Sequence, residues 1–172
     1  MTAQVIESVP TSFDIQPFAA RWFNWIDIAK CFWPGRGGRA ANINPELAPV
    51  RMLGGIYCFA YSADAPLLIS PKAAEVRYIG ETGEFLRRMG QFGQSAGFWG
   101  ERHNGHSAGW RWAEGQLDNI WVSFFPIGKE LLPHLAVGMR VWMEAVALEE
   151  FRLVHDRLPE INAVGKSGEP RW

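Results

Sequence analysis

Two β-prone segments, Gly54–Tyr61 and Glu75–Ile79 with Gly80 directly after it, constrain the fold of this chain more than any other feature. Each is short and apolar, and each is bounded by glycine or polar turn-formers, the pattern of strands in a sheet. They are close enough in the chain to pair as a hairpin. The connection between them carries Ser62-Ala63-Asp64-Ala65-Pro66 and Ser70-Pro71, which punctuate it and leave room for a short strand at Leu67–Ile69. A third strand is expected at Asn119–Phe125.

Helices are expected around these strands. Thr82 is placed to cap a helix from Gly83 to about Phe92, because its hydroxyl can accept from an orphan amide of the first turn. At about 100° per helical residue, Phe85, Met89 and Phe92 form one apolar stripe, Arg88 flanks it and Arg87 points nearly opposite. A long helix is expected from about His134 to Asp156, stopped by Leu158-Pro159. Gln94–Gly115 is rich in Gly, His, Trp and Arg without periodicity and reads as a long ordered loop. An aromatic helix is expected at Phe18–Trp33, running into the flexible segment Pro34-Gly35-Arg36-Gly37-Gly38-Arg39. Residues 1–52 are therefore read as an N-terminal helical and aromatic extension packed on a domain of residues 53–172. The fold class is α+β: a small, mainly antiparallel sheet of three strands, or four if Leu67–Ile69 contributes one, flanked by helices.

Composition narrows the functional classes. At 172 residues and 48% hydrophobic, with 9 Trp and 11 Phe, the chain has the size of one domain and ample material for a core. Balanced charge, 17 basic against 18 acidic side chains, excludes the global field of a protein that coats nucleic acid, so phosphate contacts must be local. The same balance leaves room for a targeting partner, and the Trp-rich N-terminal part for a role in assembling a homo-oligomer. Cys31 and Cys58 form no paired ligand motif and read as core residues. The stretch from Met1 to Phe18 holds neither a basic leader nor an apolar run, and no run approaches the ~20 apolar residues of a membrane span. A cytoplasmic protein without a membrane partner is expected.

The most informative words are Gly55-Ile56-Tyr57 and Tyr78-Ile79-Gly80, one on each strand of the expected hairpin, followed by Thr82, Phe85 and Arg88. With Asn162 in Leu158-Pro159-Glu160-Ile161-Asn162, they make the region of roughly residues 53–165 resemble the GIY-YIG nuclease superfamily. The resemblance implies a metal-dependent endonuclease acting on DNA, duplex or branched. Its catalytic residues would be Tyr57, Tyr78, Arg88, a glutamate and Asn162, and its ion Mg²⁺ or Mn²⁺. Glu150 has the commonest family spacing to the Pro-x-x-Asn segment, and Glu144 suits members with a longer final helix. Glu144 is favoured because it lies nearer the third strand. The connection between the tripeptides is longer than is usual for the family, implying an inserted loop near residues 62–74. Phe92 stands where many members carry His or Tyr, and His106 is the residue conjectured to replace that ring.

Such chemistry needs these groups. Water attacking a phosphodiester must lose a proton, and cations must absorb the charge that develops on phosphate and leaving oxygen. Tyr57, directly or through Tyr78, is the expected base; Arg88 is the expected cation. A glutamate oxygen suits Mg²⁺. Arg87, His106 and Arg111 are the expected substrate-binding residues, Arg111 because Trp110-Arg111-Trp112 could stack on bases and pair with phosphate. Two other motifs are set aside. His103-Asn104-Gly105-His106 lacks further zinc ligands at a suitable spacing, and Gly165-Lys166-Ser167 has Glu160 where a phosphate-binding loop needs its first glycine.

Overall fold

The computed structural model describes residues 16–32, 44–99, 105–112, 116–128 and 131–163. In chain order its elements are β1 (Phe23–Asn24), α1 (Trp25–Ile28), β2 (Gly55–Tyr61), β3 (Val76–Thr82), α2 (Phe85–Ser95), β4 (Ile120–Pro126) and α3 (Pro133–His155). Short 3₁₀ turns follow α1 at Ala29–Phe32 and occur at Gly109–Arg111 and Leu117–Asn119. The strands form one open 4-stranded sheet in the order β1-β4-β2-β3, with every pairing antiparallel. The architecture is α+β.

Alternation along the strands separates two apolar layers. Tyr57, Phe59, Tyr78, Val122 and Phe124 face a core completed by Phe85, Met89 and Phe92 of α2 and by Trp25 and Phe32. Ile56, Cys58, Ala60, Ile79 and Phe125 face the other way, against Met143, Ala147 and Phe151 of α3. Burial of Cys58 in that layer pushes its thiol up, away from the thiolate that reactivity requires. Among the described residues no helix is long and apolar enough to cross a membrane.

Several sequence expectations change. The helix expected at Phe18–Trp33 forms only in its second half: residues 18–21 are bends, Phe23–Asn24 are a strand, and helical structure runs over Trp25–Phe32 as α1 and the 3₁₀ turn that follows it. The edge of β4 requires partners for its backbone, and this segment supplies them: Phe18 N donates to Phe124 O at 2.7 Å, and Phe23 and Asn24 pair with Val122 and Trp121. Asn24 then ends the strand by accepting from Ile26 N at 3.0 Å, which starts α1. Residues 18–32 are therefore built into the sheet and core rather than laid over them. The fourth strand is β1, not Leu67–Ile69. Leu67 is 100% exposed, and Leu68 serves instead as the carbonyl acceptor for Trp22 Nε1 at 3.1 Å. Thr82 ends β3 with its hydroxyl accepting from Glu84 N at 3.1 Å, so it forms a turn before α2 rather than capping the first helical turn. Within the expected loop, Gln94 and Ser95 continue α2, and Gly109–Arg111 form a short helical turn. The segment Pro34–Arg39, together with Trp33, His103 and Gly165–Ser167, lies outside the described residues.

Candidate active site

The register of the hairpin brings the tyrosines together. Tyr57 stands opposite Gly80 and Phe59 opposite Tyr78, so the two phenol rings are diagonal neighbours with centroids 5.9 Å apart. Gly80 provides the room. A Cβ at that position would stand 2.7 Å from the Tyr57 hydroxyl oxygen and 2.8 Å from that of Tyr78. Gly55 is constrained in the same manner, since a Cβ there would lie 2.3 Å from Phe125 O on the neighbouring β4. Glycine in each tripeptide thus answers a close approach. Gly80→Ala is expected to cost about 1–3 kcal/mol by overpacking two rigid rings and to separate their hydroxyls. Urea unfolding of the variant measures this; an unchanged midpoint and slope would contradict the packing described.

Arg88 completes the cluster from α2. Its Nε donates to Tyr57 Oη at 3.1 Å and its Nη1 to Gln91 Oε1 at 3.3 Å. Burial disfavours the charge, but the adjacent Tyr57 and Tyr78 together more than offset this and hold Arg88 above its usual value. Arg87, one residue earlier, is exposed and lines a groove of about 350 Å³ with Phe32, Leu86, Gln91 and Gln94. The helical periodicity therefore separates the two arginines as expected.

His106 is the residue whose placement sequence reasoning described least well. It is fully buried, not presented to a substrate, and its Nε2 lies 2.6 Å from Tyr57 Oη. Its ring packs 5.5 Å from that of Phe92, beside the position whose missing His or Tyr ring it is expected to replace. The backbone of His106 is anchored to α2 through its N–H to Ser95 Oγ at 2.7 Å. Burial, reinforced by the Arg88 charge, pushes its pKa well below the ordinary histidine value. Tyr57 is equally enclosed. Burial pushes its phenol well above the ordinary range, Tyr78 adds to the rise and Arg88 opposes it. At neutral pH Tyr57 is a phenol and His106 a neutral imidazole.

The remaining expected site residues take other positions. Asn162 does not point into the tyrosine cluster: its side-chain amide pairs with the backbone of Ile79, accepting from N at 2.8 Å and donating to O at 2.7 Å. It closes the exposed edge of β3, helped by Ile161 N to Arg77 O at 2.8 Å. Arg111 Nη1 donates to Ile161 O, joining the 105–112 segment to the same turn. Glu144 and Glu150 are both half-buried on α3, whose packed face covers the sheet layer opposite Tyr57. Glu150 Oε2 lies 3.6 Å from Lys72 Nζ. One turn before Glu144, Arg140 Nε donates to Glu81 Oε2 on β3 at 3.0 Å, which sets Glu144 on the flank of α3 that follows that edge strand.

Among the described residues no three His, Cys, Asp or Glu side chains gather into a metal cage. An ion held by Glu144 or Glu150 would therefore rely on water and phosphate oxygens to complete its shell. Mg²⁺ accepts such a donor set. No family model, no curated protein and no solved structure matches this chain.

Proposed function

We propose that this protein is a cytoplasmic, divalent-metal-dependent endonuclease of the GIY-YIG type, hydrolysing a phosphodiester bond of DNA. The observation that carries this reading is the convergence of Tyr57, Tyr78 and Arg88, supplied by the two tripeptides and the helix that follows them. Arg88 is a half-buried cation held in place by a hydroxyl, suited to receive the charge that develops on a phosphate in the transition state. The tyrosine hydroxyls are the groups able to orient water or pass its proton. Asn162 supports the site by fixing β3, the strand that carries Tyr78. Glu144 would hold Mg²⁺ or Mn²⁺, and the ion would supply positive charge to the phosphate. Arg87, exposed beside its groove, would contact the DNA backbone.

A second reading is a GIY-YIG-fold module that binds nucleic acid or protein without cutting. It is favoured by one observation, the complete enclosure of Tyr57 and the upward push on its phenol. Paired substitutions separate the readings. Glu144→Gln is expected to keep the fold and lose metal-dependent cleavage, and Glu150→Gln to stay active. The reverse pattern would move the ion to Glu150. Absence of cleavage in the parent protein under Mg²⁺ or Mn²⁺ would favour the binding module.

A further inference from the structure

We propose that His106 is a fixed hydrogen-bond donor to Tyr57, a positioning residue that turns the Tyr57 hydroxyl proton away from itself and toward Tyr78. The polarity follows from the other ring nitrogen. Ala108 N–H donates to His106 Nδ1 at 3.0 Å, so Nδ1 must present a lone pair. A neutral imidazole carries one N–H, which is then on Nε2, and Nε2 is 2.6 Å from Tyr57 Oη. Arg88 Nε–H is the second donor to that oxygen, at 3.1 Å. With both lone-pair directions taken, the hydrogen of Tyr57 has to find a third group. Tyr78 is the group placed to receive it, because the two hydroxyls crowd the same space above Gly80.

An imidazolium at His106 is opposed from every side. It would set Nδ1–H against Ala108 N–H and place a cation in the same enclosed cluster as Arg88. The ionisable groups facing the ring are Tyr57 of β2, Tyr78 of β3 and Arg88 of α2, with no carboxylate among them. His106 therefore cannot serve as the base that takes the Tyr57 proton. Tyr57 and His106 are fully enclosed, whereas Tyr78 keeps 8% of its surface exposed, so of the two tyrosines Tyr78 is the one that reaches water. In the proposed nuclease, on which this last consequence rests, Tyr78 would face the attacking water and Tyr57 would orient it.

The tautomer can be read without any activity. In the full chain labelled with ¹⁵N-histidine, nitrogen shifts followed from pH 5 to 8, with the His106 signal assigned by its loss in His106→Gln, are expected to show a neutral ring protonated on Nε2 throughout. Protonation on Nδ1, or an imidazolium forming with a midpoint near the ordinary value, would overturn the proposal. Cleavage supplies an independent readout. His106→Gln, which retains an N–H donor, is expected to recover most of the single-turnover rate that His106→Phe loses, a loss of about tenfold at unchanged DNA affinity. A parental rate in His106→Phe would overturn the positioning role. A protein with the expected tautomer and no cleavage would instead refute the nuclease reading and leave the donor assignment standing.

Discussion

Arg88→Ala is expected to lower the single-turnover rate of the proposed DNA cleavage by about 10²–10³, the cost of losing one preorganised donor to the transition state, while DNA affinity falls far less. The expectation rests on the Nε contact to Tyr57, which fixes a half-buried guanidinium beside the hydroxyls. Arg87→Ala is the matched control on the same helix. Its side chain is exposed, so its loss is expected to weaken binding at low salt and to spare the chemical step. Saturating enzyme separates the two effects. Equal rate losses at both positions, or an Arg88 variant that cleaves like the parent, would remove Arg88 from the proposed chemistry.

The largest expected loss of stability lies outside the site. Trp25 is fully buried, edge-on to Phe92 with centroids 4.8 Å apart and in ring contact with Phe32, Phe59 and Phe98. Trp25→Ala is expected to cost about 3–5 kcal/mol, a large share of the ~5–15 kcal/mol that holds an ordinary domain together. Trp25→Phe should cost much less, because Trp25 Nε1 is buried without a hydrogen-bond partner among the described residues and its removal forfeits no bond. Chemical denaturation of both variants measures the difference. A cost below about 1 kcal/mol for the alanine would mean that the N-terminal segment does not complete the core.

How much of this was legible in the sequence depended on how local each cause was. The strands β2, β3 and β4 were found within a few residues because runs bounded by glycine and proline state their own ends. The orientation of Arg88 and Arg87 followed from helical geometry alone. β1 could not be found from periodicity, since two residues have no period; the available signal was Asn24, a cap-forming residue just before Trp25. The choice between Glu144 and Glu150 stayed open for a different reason. α3 is apolar on several sides, burying Met143, Ala147 and Phe151 while leaving Val141, Trp142, Leu153 and Val154 exposed, so its inward face is not marked by its sequence.

The contacts of His106 were beyond sequence reading. They depend on a non-periodic segment folding back so that Ala108 fixes one ring nitrogen and Tyr57 meets the other, which no spacing encodes. Asn162 gave the opposite lesson. The family resemblance marked it as important, and its importance in this fold lies in pairing with the backbone of Ile79 at the edge of β3.

The most direct measurement is incubation of the full chain with supercoiled, linear and branched DNA in the presence of Mg²⁺, Mn²⁺ or EDTA, with Arg88→Ala prepared in parallel to exclude a contaminating nuclease. The proposed endonuclease cuts at least one of these DNA forms with Mg²⁺ or Mn²⁺, stops in EDTA, and loses most of its rate in the variant. No cleavage of any form with either ion, or cleavage that survives both EDTA and the loss of Arg88, would contradict it.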